Sequence, residues 1–129
     1  MLRESDYVVV CAQYTSETEH LLGATEFAAL PKDAVVINIA RGEIIDEAAL
    51  LAALDSGCLR GAALDVYLGE FEHEPPPALW NHDKVLITPH TSAMSDIDQH
   101  RAVELFCDNL RAYLAGQPLK NVIDWARGY

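Results

Sequence analysis

Four short apolar runs, spaced along the chain with helix signals between them, constrain the fold more than any other feature. They are Tyr7-Val8-Val9-Val10-Cys11-Ala12, Ala34-Val35-Val36-Ile37-Asn38-Ile39, Gly61-Ala62-Ala63-Leu64-Asp65-Val66 and Lys84-Val85-Leu86-Ile87. Each has strand length, and the second is β-branched and bounded by Pro31-Lys32-Asp33 and Gly42, as a buried strand should be. Between them, Ser16 offers a hydroxyl cap ahead of Glu17, Glu19, Leu21 and Leu22, which predicts a helix ending at Gly23. Thr25 to Leu30 predicts a second short helix, stopped by Pro31. Asp46 caps a third, with Leu50, Leu51 and Leu54 on one stripe and Gly57 as terminator. Strand, helix, strand, loop, strand, helix is the pattern of a parallel sheet with helical crossovers.

That architecture matters because ligands of open α/β sheets bind beyond the carboxyl ends of the strands. Arg41, Asp65 and His90 each follow a different predicted strand and should meet at one edge. A guanidinium there can clamp a carboxylate with two parallel hydrogen bonds. Singly, each residue has a plainer reading: a surface ion pair for Arg41, a cap or turn for Asp65, a structural hydrogen bonder for His90. Together they suit hydride chemistry on a small oxo-acid. Arg41 would hold the carboxylate and polarise the carbonyl, and His90 would deliver a proton to its oxygen. A carboxylate on the other imidazole nitrogen favours the protonated ring, and Glu70 is the expected partner. Asp65 is better placed to contact a carboxamide or orient the site.

Twenty acids against nine Lys plus Arg give a formal net charge of −11, which argues against nucleic acid or an anionic membrane as partner. No apolar run approaches the length of a membrane span, and the amino-terminal residues lack the long apolar segment of a signal peptide, so a cytoplasmic location is expected. Three cysteines, Cys11, Cys58 and Cys107, read as buried small residues in a reducing compartment. Glu70, Glu72, His73, Glu74 and His82 match no zinc or EF-hand spacing, so no metal is expected. Arg60 to Lys84 holds five acids and Pro75-Pro76-Pro77, the marks of a long surface loop. Ser95 with Asp98 reads as a capping box for a helix bearing Val103, Phe106, Leu110, Tyr113 and Leu114, up to Gly116.

Asn38-Ile39-Ala40-Arg41-Gly42, Gly61-Ala62-Ala63-Leu64-Asp65-Val66-Tyr67, Leu79-Trp80 and Val85-Leu86-Ile87-Thr88-Pro89-His90 together resemble the D-isomer-specific 2-hydroxyacid dehydrogenases in order and spacing. Within that family the Ala126-Arg127-Gly128-Tyr129 ending and the helix before it most resemble the glyoxylate/hydroxypyruvate reductase branch. The resemblance implies a catalytic set of Arg41, Glu70 and His90. It implies nucleotide contacts at Gln13, Tyr14, Thr15, Ile39, Arg41, Asp65 (the nicotinamide amide), His90 and Ser92, with NAD or NADP as cofactor and NADPH favoured by the branch. It further implies a small 2-oxo or 2-hydroxy acid substrate and a homodimer. Glu70 keeps the family spacing from Asp65, whereas Glu74 keeps the following proline; Glu70 is preferred because distance along the chain sets where the side chain reaches.

The seven glycines nowhere form GxGxxG, the pyrophosphate-binding turn. The expected fold is therefore the second half of a Rossmann-like parallel sheet with crossover helices, its first mononucleotide-binding half absent. Residues 1–116 form that half, including the long final helix, and residues 117–129 form a tail that docks on a substrate domain outside the chain. On this reading the first strand has an unpaired edge and the 129 residues are inactive alone. A different class of reading is a non-catalytic binding or assembly module that retains the catalytic residues as relics.

Overall fold

The computed structural model describes residues 1–126 and resolves them into two compact units, Met1–Ser92 and a second beginning at Ala93. In the first, β1 (Tyr7–Val10), β2 (Ala34–Asn38), β3 (Leu59–Leu64) and β4 (Val85–Ile87) form one parallel sheet in the order β1-β2-β3-β4. The crossovers carry α1 (Ala24–Ala28) and α2 (Glu47–Asp55), and the loop before β4 carries the single turn α3 (Pro77–Trp80). This is the parallel α/β arrangement expected from the alternation of runs.

Strand alternation separates two faces. Val10, Ala34, Val36, Asn38, Ala62 and Leu64 are buried in a common core with Phe27 of α1 and Leu50, Ala53 and Leu54 of α2. Fully burying a side chain such as Leu54 contributes about 1.5–3 kcal/mol. The opposite face runs across the register Val9–Ile37–Ala63–Leu86, with Val9 and Leu86 exposed. Because all strands run parallel, every strand's carboxyl end lies at the same edge, and the turns after β2, β3 and β4 emerge there together.

Asp46 caps α2 as expected, its carboxylate accepting the Ala49 N–H at 3.0 Å. The helix predicted from Ser16 does not form. Turns occupy residues 16–20, because the Thr18 hydroxyl takes the Thr15 N–H and donates to the Gln13 carbonyl. Leu22 is instead drawn into a parallel bridge with Ile45. The cysteines also differ from expectation. Cys11 is exposed because β1 stops at Val10, while Cys58 and Cys107 are only half-buried, and all three are free thiols.

The second unit is built on α4 (Asp98–Leu114). Its first turn lacks the Ser95 cap: the N-cap position is Ile97, with no side-chain hydrogen bond. Past its end, Asn109 bonds both the N–H and the carbonyl of Lys120, and the Lys120 ammonium sits 3.0 Å from Asp108, whose carboxyl it draws below the ordinary range. These bonds tie α4 to the segment that follows it. Val103, Phe106, Leu110 and Tyr113 of α4 are exposed, and the Arg127-Gly128-Tyr129 part of the tail lies outside the described residues.

Candidate functional site

The turn after β2 is held from inside by Asn38. Its position on the buried, period-two face of the strand puts a polar amide in the core, where it must be satisfied. It is: the amide oxygen accepts the Ala40 N–H at 3.0 Å and the amide nitrogen donates to the Arg41 carbonyl at 2.8 Å. Those two bonds fix the backbone that presents Arg41, which is exposed and folds one guanidinium N–H back onto the Ala40 carbonyl at 2.6 Å. Gly42 is required there: a Cβ at that position would fall 2.2 Å from the Tyr67 carbonyl carbon.

The segment after β3 delivers Glu70. Gly69 takes a left-handed φ of +76°, a conformation glycine adopts at little cost, and Glu70 follows it within the same turn. Its Oε1 lies 3.0 Å from Nδ1 of His90, with the carboxylate 10% exposed and the imidazole 32% exposed. Glu74 is not that partner; its backbone carbonyl meets the His73 ring at 2.8 Å. Glu70 thus engages the Nδ1 side of the His90 ring, leaving Nε2 as its other polar atom. An open cleft of about 500 Å³ lies beside the pair, walled by Tyr67, Phe71, Trp80 and Pro89.

The turn after β4 is held by Asp65, which is 4% exposed. Its carboxylate accepts the Thr88 hydroxyl and the N–H groups of Thr91 at 3.0 Å and Ser92 at 2.8 Å. Burial pushes such a carboxyl up, but the Ser92 and Thr88 hydroxyls and the Ser92 and Thr91 N–H groups outweigh it and hold Asp65 well below the usual carboxylate range.

The structure therefore joins Glu70 to His90, and joins Ile39, Asp65 and Ser92 along a second cleft with Ile37, Leu86, Thr88 and Thr91. That cleft sets the apolar shelf of Ile37, Ile39 and Leu86 beside the Asp65 carboxylate, a combination that fits the flat ring and the amide N–H of a nicotinamide. Arg41 contacts none of these groups directly, and Gln13, Tyr14 and Thr15 follow β1 at the same edge without lining either cleft. Sequence reading missed Asn38, Thr88 and Thr91 as working residues. A signal existed for Asn38 alone, as the one polar residue on the buried alternation Ala34, Val36, Asn38.

Residues 1–92 match a family model described as the D-isomer specific 2-hydroxyacid dehydrogenase, NAD binding domain. Over 127 residues the chain is 38% identical to glyoxylate/hydroxypyruvate reductase B of Salmonella paratyphi B, covering 96% of this chain and 38% of that protein. It is similar to a D-isomer specific 2-hydroxyacid dehydrogenase from Xanthobacter autotrophicus Py2, solved with NADPH and MES. There the TM-score is 0.88 at 42% identity, over 99% of this chain and 52% of that one. It is also similar to an NADPH-dependent glyoxylate/hydroxypyruvate reductase from Sinorhizobium meliloti solved with NADP and malonate. That match has a TM-score of 0.75 at 33% identity, over 88% of this chain and 35% of that one.

Proposed function

Because the chain belongs to the D-isomer specific 2-hydroxyacid dehydrogenase family, matching its NAD-binding domain, we propose that its sheet edge supplies the proton-transfer and carboxylate-binding part of a site interconverting a small 2-oxo acid and its 2-hydroxy acid. The observation that carries this reading is the His90–Glu70 pair, set beyond β4 on the edge where Arg41 emerges beyond β2. NAD(P) supplies the hydride when bound. Glu70 holds Nδ1 of His90, so Nε2 gives a proton to the carbonyl oxygen during reduction and takes it from the hydroxyl during oxidation. Arg41 swings its guanidinium from the Ala40 carbonyl onto the substrate carboxylate, where two parallel N–H bonds orient it.

Ile39 and Ser92 border the nicotinamide shelf with Asp65, and Gln13, Tyr14, Thr15, Arg41 and His90 complete the nucleotide contacts. Glyoxylate or hydroxypyruvate is the substrate type and NADPH the preferred cofactor, a reading supported by the names of the Salmonella and Sinorhizobium reductases and by the NADPH complex. Residues 1–116 serve the nucleotide-binding part, residues 117–129 reach toward a substrate domain, and the assembly is a homodimer. Since these 129 residues hold no GxGxxG turn, they bind the nicotinamide end without steady turnover.

Amide-shift mapping with NADPH, run beside a nicotinamide-absorbance assay on glyoxylate and hydroxypyruvate, tests this. The expected result is shifts at Ile39, Arg41, Thr91 and Ser92 with no sustained oxidation. Shifts confined to other surfaces would contradict the site, and sustained oxidation would contradict the need for a further pyrophosphate turn. Size-exclusion chromatography checks the dimer.

A further inference from the structure

We infer that Asp65 is a positioning residue for His90, acting by fastening both flanks of the turn that presents the imidazole. The inference rests on the His90–Glu70 reading above and adds to it the device that holds His90 in place. Ladder pairing between β3 and β4 ends at Leu64 and Ile87, with the Thr88 N–H still bonded to the Leu64 carbonyl at 2.9 Å. Beyond that point the chain turns sharply, and His90 adopts a left-handed φ of +51°. A non-glycine residue keeps that conformation when its surroundings determine it, and such residues gather at functional sites.

Here the determinant is Asp65. Its backbone carbonyl accepts the His90 N–H at 3.0 Å, while its carboxylate accepts the Thr88 hydroxyl on one side of His90 and the Thr91 and Ser92 N–H groups on the other. One oxygen takes Thr88 and Thr91, the other takes Ser92. Two carboxylate oxygens offer about four acceptor sites, so holding the turn adds to the Asp65 contact with a nicotinamide amide and does not replace it. Asparagine is a poor substitute because both oxygens already accept: its NH2 would face an N–H or O–H donor on one side or the other.

The test is a long-range proton–nitrogen spectrum of the His90 imidazole in the 129-residue chain, read with amide exchange. In Asp65→Asn, exchange at Thr91 and Ser92 should accelerate by about tenfold or more, the size of one lost charge-assisted hydrogen bond. The His90 Nδ1–H resonance should be lost, while Val36 and Leu50 amides keep their rates. An unchanged His90 resonance in that folded variant would overturn the proposal. Should Asp65→Asn lose protection at Val36 and Leu50, Thr88→Val decides: it removes one donor of similar shape, and it must weaken the Nδ1–H resonance with those core amides intact, an unchanged resonance overturning the proposal. Glu70→Gln keeps the two ideas apart. A His90 resonance indifferent to Glu70→Gln would overturn the catalytic pair and this proposal with it, whereas one that responds to Glu70→Gln but to neither Asp65→Asn nor Thr88→Val overturns this proposal alone.

Discussion

The turns after β2 and β4 solve one problem in two ways. Each must push a cationic or protonatable side chain out of a sheet edge while anchoring its backbone in the interior. The Arg41 turn uses the neutral, fully buried amide of Asn38, which both donates and accepts. The His90 turn uses the charged carboxylate of Asp65, which only accepts and therefore gathers donors: the Thr88 and Ser92 hydroxyls and the Thr91 and Ser92 N–H groups. A single amide suffices for a tight turn closed over two residues. Spanning Thr88 to Ser92 around a left-handed residue takes a group with several lone pairs, and ionisation strengthens each bond. The charged anchor should therefore be the costlier one to remove.

Substitutions that break this contrast can be ranked. Asp65→Leu should cost most, about 3 kcal/mol or more in urea unfolding, because the donors it gathers lose their acceptor at about 1–3 kcal/mol for each that stays dry. A cost below about 1 kcal/mol would mean the donors are readily hydrated. Gly42→Ala should follow at about 2 kcal/mol, in the range for overpacking, since the new Cβ meets the Tyr67 backbone and not a side chain that could move aside. Asn38→Leu should cost about 1–2 kcal/mol and speed exchange at Ala40 while leaving Thr91 and Ser92 as they were. If Asn38→Leu equals Asp65→Leu in cost, the two anchors are equivalent and the contrast fails. Glu70→Gln should change stability least, by less than about 1 kcal/mol, because the imidazole it faces is partly exposed and solvent screens the pair.

Much of this was legible in the sequence because the governing physics is local and periodic. The four apolar runs marked the strands, and Arg41 and His90 just beyond two of them, with Asp65 near the carboxyl end of a third, marked the edge. The chain from Ser16 to Leu22 misled because two leucines and two acids mimic a first helical turn, while the deciding bonds, Thr18 to Thr15 and Gln13 and Leu22 to the Ile44–Ile45 segment, are made by side-chain competition and by residues far along the chain. Thr88 and Thr91 were invisible for a similar reason. Their partner is 23 to 26 residues away, just past the end of β3, and nothing in their immediate neighbours announces it. In α4, the stripe of Val103, Phe106, Leu110 and Tyr113 was evident from spacing, yet spacing alone does not say what covers it.

The most direct measurement is amide exchange at Ala40, Thr91 and Ser92 followed as the pH is lowered. Asp65 has its carboxyl held below the ordinary carboxylate value of about 3.9, so its contribution is fully present above that value and is lost only as pH falls through the lower, folded one. The expected result is that Thr91 and Ser92 keep their protection through about pH 4 and lose it well below, while Ala40, held by a neutral amide, shows no step of its own. Loss of Thr91 and Ser92 protection near pH 4–5, or a step at Ala40 alongside them, would contradict the distinction between a charged and a neutral anchor.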